Sequence, residues 1–359
     1  MSYSPFRHIG SIFWKRRPVH YTFFLTKRCN AKCPFCFYLS ETDEPDDVRE
    51  ELSLDEIRRV SSSLGDLLWL AFSGGEIFLR DDLVEITKVF YRINRPAIIL
   101  LPTNGLMPDV IRKKVGMILE VCPESTIVVK LSLEGPESIN DSIRGEGSFK
   151  KTMETYNVLG ELLDEYPNFE LGINTVFCSK NQESMDELIE LVNGLEKIQT
   201  HTVSLIRGNV TDEGLKDIDM EKYYETVDKM AVNLRDRTSS MYRFKGAKLK
   251  AAQDILQRRL IYETNTLNRR MVPCHAGRLN LVVSETGDVY PCELLDKKLG
   301  NIREIGYNMK KLLKSRQAGD VIRSIRKDKC FCTHECNFMT NILFSPRAYP
   351  ALLKEYMKL

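Results

Sequence analysis

Along the chain, the spacing of apolar positions alternates between two periods. Short apolar, β-branched and aromatic runs near 20–26, 67–73, 98–102, 126–133, 169–177 and 201–206 have the length and composition of buried strands. Between them, near 81–93, 108–121, 148–165 and 182–195, the stretches are helical. Ser53, three residues before Glu56, forms a capping pair that predicts a further helix through about Ser63, after an acidic loop from Glu41 to Asp47. Strands separated by helices of this length cannot pair as hairpins; they need right-handed βαβ crossovers and a parallel sheet. The pattern predicts an α/β core over 20–210, either a doubly wound open sheet or an incomplete barrel. In both, reactive groups belong at the carboxyl ends of the strands.

Beyond the core the periods change. Residues 211–270 are charged and helical in period, a connector of two or more helices. From 271 to 345 the chain is Cys-rich, with Leu279 to Ser284, a turn at Glu285-Thr286-Gly287-Asp288, and Val289 to Glu293 reading as a hairpin. Residues 346–359 close with a short amphipathic helix, and residues 1–19 form an N-terminal strap.

Composition narrows the class. With 43% apolar and 28% charged residues in a chain of 359, the balance is that of a folded globular protein. A net charge of +2 gives bulk electrostatics no preference for nucleic acid. No run reaches the ~20 apolar residues that span a bilayer, and the first residues lack a signal peptide's apolar segment, so a cytoplasmic location is expected. In that reducing compartment ten cysteines are better read as metal ligands than as disulfides. Eight fall into two groups, leaving Cys122 and Cys178 as small buried apolar residues.

The first group, Cys29, Cys33 and Cys36, follows the first strand with spacing CxxxCxxC. Structural zinc and conventional iron–sulfur clusters take four protein ligands, so three thiols leave a coordination position open; half of a zinc knuckle is the alternative. Residues 26–38, with aromatic Phe35 immediately before Cys36, closely resemble the signature of the radical S-adenosylmethionine (radical SAM) superfamily. The resemblance continues through Ser73-Gly74-Gly75-Glu76, Thr103-Asn104-Gly105, Ser132-Leu133-Glu134-Gly135 and Arg144-Gly145. It implies an incomplete (β/α)6 TIM-type barrel, with the triplet holding a [4Fe–4S] cluster and S-adenosylmethionine at the open iron. Phe35, Gly74, Gly75, Glu76, Asn104, Ser132, Arg144, Asn174 and Leu205 would then surround the cofactor. Glu76 would pair with the methionine ammonium group, and Arg144 would face its carboxylate. Glu134 and Asn140 depart from the family's usual Asp and His, and Asn181 reads as the cap of the next helix. Arg207, at the end of the sixth strand, would face substrate or make a salt bridge.

The second group, Cys274-x12-Gly287-x4-Cys292 followed by Cys330, Cys332 and Cys336, resembles the SPASM/twitch extension that holds auxiliary clusters. It implies a small C-terminal α+β module with one auxiliary [4Fe–4S] cluster on Cys274, Cys292 and Cys336, with Cys330 and Cys332 competing for the remaining place. Zinc is the alternative metal. His275 and His334 are candidate outer donors, with solvent exposure as the ordinary alternative.

The resemblance implies reductive cleavage of S-adenosylmethionine by way of a reductant such as flavodoxin or ferredoxin, then hydrogen abstraction from an organic substrate. With about twenty residues before the first strand, a small molecule, sugar or lipid is expected over the alternative of a ribosomal peptide. A non-catalytic iron–sulfur or zinc protein for electron transfer or scaffolding is the remaining reading. Phe6, Ile9, Ile12, Phe13 and Trp14 beside Lys15, Arg16 and Arg17 could touch a membrane, or simply strap the barrel.

Overall fold

The computed structural model describes residues 2–15, 17–39 and 50–359; Arg16 and the acidic loop Glu41 to Asp47 lie outside the described residues. Six strands, β1 (His20–Phe24), β2 (Trp69–Ser73), β3 (Ile98–Thr103), β4 (Thr126–Ser132), β5 (Phe169–Phe177) and β6 (Thr200–Leu205), pair in chain order. Every neighbouring pair among them is parallel, joined by crossovers that include the helices Leu54–Ser63, Leu83–Asn94, Pro108–Val121, Ser148–Gly160 and Met185–Asn193. Parallel strands are apolar on both faces because helices cover one side and core the other; β1 is buried at all five positions. The sheet curls into the incomplete barrel. One face of β1–β6 carries Thr22, Ala71, Pro102, Lys130, Ser132, Asn174 and Ser204 into an internal chamber.

Three further strands extend this sheet: β7 (Asn280–Val283), β8 (Asp288–Tyr290) and β9 (Gly300–Asn301). The hairpin β7–β8 is present, and β7 pairs in parallel with β1, His20 opposite Asn280. The Cys-rich region thus covers the exposed edge of the barrel's first strand, an edge that would otherwise present unpaired backbone groups. At the opposite edge, Arg258 of the helix Ala247–Thr266 donates to the His201 carbonyl (2.9 Å). Glu335, on the helix Glu335–Leu343, accepts from the Leu205 backbone N–H (3.2 Å). These two helices close the gap in the barrel wall.

Ser53 and Glu56 cap the helix Leu54–Ser63 reciprocally, and Glu56 also accepts from Arg303 (2.7 Å) and Tyr307 (2.8 Å), tying the C-terminal region to the barrel. The N-terminal strap bonds back to the core: the Tyr3 N–H donates to Glu124 O (2.7 Å) and Arg7 to Leu67 O (2.9 Å). Phe13 and Trp14 nevertheless stay 74% and 67% exposed. Among the described residues no helix is long and apolar enough to cross a membrane.

Candidate active site

The loop after β1 is locked by backbone contacts to the loop after β2. Gly75 N–H donates to Thr26 O (2.7 Å) and Glu76 N–H to Arg28 O (2.8 Å). A Cβ at Gly74 or Gly75 would overlap the Thr26 or Arg28 carbonyl oxygen, and Gly74 has φ +132°, so both positions require glycine. This seam fixes the start of the Cys29–Cys36 loop, and all three thiols face the chamber.

Each neighbouring loop adds a donor or a charge. Asn104 turns its Nδ2 toward Cys29 Sγ (3.8 Å) and Asn30 Oδ1 (2.7 Å), while the Ala31 N–H donates to the same sulfur (3.4 Å). Arg144 places Nη1 3.6 Å from Cys33 Sγ, stacks over Phe35 at 5.3 Å and donates Nε to Glu134 (2.8 Å). Glu134 holds the guanidinium charged; with the longer Glu in place of Asp, its carboxylate also reaches the Val176 N–H (2.6 Å). Burial pushes the Cys29 thiol up to about 11 and raises Cys33, whose rise the Arg144 charge opposes. Deprotonation by a bound metal would reverse both shifts.

Glu76 is buried, and its carboxylate accepts from Phe78 N–H (3.1 Å), Thr103 Oγ1 (3.0 Å) and Asn104 N–H (2.8 Å). Burial outweighs these donors and raises it to about 7. It faces the chamber together with Ser132, its sheet neighbour Asn174, Leu205 and Phe35. Asn181 does not cap the next helix, which starts at Met185 behind Ser184. It is fully buried, accepts from Cys178 N–H (2.8 Å) and donates to Glu134 O and Val176 O (both 2.9 Å), stapling the ends of β4 and β5. Asn140 likewise bridges the Glu134 N–H (2.9 Å) and Ser148 (2.8 Å).

The chamber holds about 360 Å³. Its far wall contains residues the sequence did not single out: Lys130, Tyr242, Lys250, Asp254, Glu293 and Glu335. Lys130, lowered to about 7 by burial, donates to Thr200. A lysine amid the apolar run Thr-Ile-Val-Val-Lys-Leu-Ser was the one available signal, since a buried strand rarely spends a charge without use. Arg207 makes salt bridges, Nη1 to Glu335 (3.0 Å) and Nη2 to Glu293 (3.4 Å), and also faces the chamber.

The second group of cysteines divides. Cys274, Cys292, Cys330 and Cys332 line a separate cavity of about 90 Å³. Three of these thiols have sulfur-directed donors: Ala276 N–H and Asn341 at Cys274, Leu294 N–H at Cys292, His334 N–H and Asn337 at Cys332. Asn337 Nδ2 is buried with no other partner, as a donor awaiting sulfide or thiolate would be. Four thiols, convergent N–H donors and Arg270 on the wall fit an iron–sulfur cluster. Cys336 instead faces the chamber; its charged neighbours are Glu293, Arg207, Glu335 and Lys250. The structure brings Cys274 and Cys292 together with Cys330 and Cys332, and places Cys336 on the chamber wall instead. The helix beginning at Glu335 turns Cys336 inward while Cys330 and Cys332 precede it in extended chain. His275 and His334 are buried, at 8% and 2% exposure, rather than solvent-facing. His275 meets Ser345 (2.9 Å), and His334 Nδ1 accepts from the Cys336 N–H (3.1 Å).

A parallel-sheet barrel with a three-thiol loop at its first strand, and a four-thiol cavity behind it, defines the class. The radical SAM superfamily model matches residues 23–192, and that of the SPASM iron–sulfur cluster-binding domain matches residues 274–337. The chain belongs to the radical SAM superfamily and carries a SPASM domain, which together imply a [4Fe–4S] cluster with S-adenosylmethionine and an auxiliary cluster. It is 27% identical over 293 residues to the AdoMet-dependent heme synthase of Methanosarcina barkeri, covering 78% of each chain. To the antilisterial bacteriocin subtilosin biosynthesis protein AlbA of Bacillus subtilis it is 27% identical over 299 residues, 81% of this chain and 58% of that one. Among solved structures, anSMEcpe with bound AdoMet superposes with TM-score 0.60 at 19% identity, over 95% of this chain and 96% of that one.

Proposed function

We propose that the protein is a radical SAM enzyme that modifies a peptide, with Cys29, Cys33 and Cys36 as its cluster-holding thiols. The observation that carries the first part is the convergence of that triplet with Glu76, Asn104, Ser132, Arg144 and Asn174 on one chamber. A non-catalytic scaffold has no use for such a set. A cluster on Cys29, Cys33 and Cys36 with S-adenosylmethionine would supply radical chemistry for hydrogen abstraction from substrate. The chain's own residues bind and orient. Glu76, desolvated, would gain an ammonium partner that restores its charge; Ser132 and Asn174, on the chamber wall, would be available to the ribose; Arg144, already committed to Glu134, offers Nη1 toward the sulfur side.

The substrate class rests on the relatives. Besides the subtilosin protein, similar chains include the sporulation killing factor maturation protein SkfB, PqqA peptide cyclases and a cysteine-type anaerobic sulfatase-maturating enzyme. They favour a peptide over the small molecule, sugar or lipid expected from the sequence. Whole-protein activities transfer only as proposals, since the match covers 58% of the subtilosin protein, 65% of SkfB and 41% of a PqqA peptide cyclase.

The test is substrate-stimulated 5′-deoxyadenosine release. Anaerobically reconstituted protein, S-adenosylmethionine and dithionite are incubated with a panel of unstructured peptides, a panel of sugars and lipids, and heme precursors. Stimulation by peptides alone is expected. Stimulation by heme precursors or by the sugar and lipid panel, with none by peptides, overturns the substrate class, and no release under any condition overturns the enzyme.

A further inference from the structure

The chamber continues below the residues assigned to the cofactor. Chamber-facing positions on a strand stand two residues apart, about 7 Å, so Lys130 lies one row deeper than Ser132 on β4. That row runs across three strands, Lys130 opposite Gly172 of β5 and Gly172 opposite Thr200 of β6. A Cβ at Gly172 would lie 2.6 Å from both Lys130 Nζ and Thr200 Oγ1. The middle strand therefore gives up a side chain so that the lysine can lie across it.

Lys130 is 5% exposed, yet it lines the chamber. Its Nζ donates to Thr200 Oγ1 and to Thr200 O (3.3 Å) and lies 5.4 Å from the centre of the Tyr242 ring. An ammonium group has three protons to donate, and no carboxylate among the described residues pairs with this one. The acidic groups whose charge reaches it are Asp254 and Glu170, the basic ones Lys250 and Arg258. Asp254 is bonded to Lys250, and Glu170, which accepts from the Arg243 N–H (2.7 Å), does not line the chamber. A buried cation without a counter-ion is costly, and burial is the main cause of the lowering of Lys130.

Lys250 converges on the same end. From the helix Ala247–Thr266 its Nζ stands 5.9 Å from the centre of the Trp69 ring and 5.7 Å from that of Tyr242, and all three residues line the chamber. Two ammonium groups against the single carboxylate of Asp254, between two aromatic walls, leave this floor positive. A strut tying β4 to β6 is the competing explanation of Lys130. It accounts for the bonds to Thr200, but not for the second ammonium or for the opening of both onto the chamber.

Resting on the radical SAM reading above, we infer that Lys130 and Lys250 form a carboxylate-binding subsite on the chamber floor, and that the peptide substrate places an acidic group there. The carboxylate supplies the counter-ion that Lys130 lacks. Held one row below Ser132 and Asn174, it sets which substrate carbon stands level with the cofactor-binding row. Lys130 binds and positions; no bond to it forms or breaks. An aspartate or glutamate side chain and a free C-terminus offer the same chemistry, and the experiment separates them.

The test needs no turnover. Anaerobic holoenzyme with S-adenosylmethionine, without dithionite, is treated with formaldehyde and dimethylamine borane, and methylation of Lys130 is read by peptide mass spectrometry against exposed Lys245. Three probes are compared: N-acetylglutamic acid α-amide with a side-chain carboxylate, N-acetylglutamine with a terminal one, and the uncharged N-acetylglutamine amide. One carboxylate probe or both should lower Lys130 methylation roughly fivefold, as occupancy at a few times Kd gives, and the effective probe names the source. The uncharged amide should leave it unchanged. In Lys250→Gln the concentration needed for protection should rise by about fivefold, the effect of one nearby charge. Equal protection by the amide, protection by neither carboxylate, or a Lys130 that stays unmethylated without any probe while Lys245 reacts overturns the subsite. Release of 5′-deoxyadenosine from an untreated portion given dithionite is measured separately. Its absence would sink the radical SAM reading and leave the protection pattern as it stands, so the two failures are told apart.

Discussion

The thiols of Cys29, Cys33 and Cys36 come from one loop of eight residues, held by a backbone seam to the next loop, whereas Cys274, Cys292, Cys330 and Cys332 are gathered from three separate segments. The first set opens onto a chamber of about 360 Å³, the second onto a cavity of about 90 Å³. A local loop with room beside it can leave one coordination position to a substrate. A set closed by four protein ligands from distant segments has no such vacancy and instead welds those segments together. The contrast predicts that the two sets fail differently. Cys33→Ala is expected to abolish 5′-deoxyadenosine release and remove about four of roughly eight irons, eight being two [4Fe–4S] clusters. Cys330→Ala should remove a similar number of irons while release falls by less than tenfold and thermal stability drops. Iron analysis beside product quantification checks both, and equal loss of release in the two variants would erase the distinction.

The seam offers a sharper cut at the first set without touching a sulfur. In Gly75→Ala the new methyl would overlap the Arg28 carbonyl, so either Glu76 or the Cys29 loop must move. A backbone conflict of this kind costs on the order of 1–3 kcal/mol locally. We expect at least a tenfold fall in release with four irons still at the auxiliary site, read by the same two assays. A variant with wild-type release would show that the seam does not position the triplet.

How much of this was legible beforehand follows the same contrast. The triplet, Gly-Gly-Glu and the Ser132 to Arg144 stretch are each local, so spacing and strand order placed them at strand ends facing one chamber. Asn181 misled because a polar residue before a helical stretch reads as a cap, while its partners, Glu134 and Val176, lie on adjacent strand ends that only the sheet brings together. The pairing of β7 with β1, and the inward turn of Cys336, depend on which face of a helix meets which strand. Five cysteines with short spacings carry no record of that. Glu293 and Glu335 flank cysteines in sequence, yet their meeting at Arg207 is purely tertiary.

The chambers also differ in charge, which pH can probe. Burial holds Glu76 near 7, and only its ionised form attracts an ammonium group. Below that value most of the carboxyl carries a proton that binding must displace; above it the carboxylate is already present. Affinity of the anaerobic holoenzyme for S-adenosylmethionine should therefore rise by roughly tenfold between pH 6 and pH 8 and then flatten. Glu76→Gln should bind more weakly with no such slope. Equilibrium dialysis across that range decides it, and a flat wild-type profile would remove Glu76 from the ammonium.

The smallest expected effect lies in a feature the two sets share. Each has an asparagine amide turned to a sulfur, Asn104 at Cys29 and Asn337 at Cys332. A donor hydrogen bond disperses charge that the cluster gains on reduction, so losing it lowers the reduction potential, by an amount on the order of tens of millivolts. Asn337 Nδ2 has no other partner, while its Oδ1 accepts from Asn280 Nδ2 (2.8 Å), so Asn337→Ala removes the donor at Cys332 and releases one buried amide outside the thiol loop. Asn104 divides its Nδ2 between Cys29 and Asn30, and its Oδ1 also holds the Leu106 N–H, so Asn104→Ala disturbs the loop along with the charge. Redox titration followed by electron paramagnetic resonance should show Asn337→Ala shifting one signal to lower potential with iron content and 5′-deoxyadenosine release kept. Asn104→Ala should shift the other and also slow release. If Asn337→Ala moved both signals together, the two cavities would not be electrically separate, and the division of the thiols into two sites would fail with them.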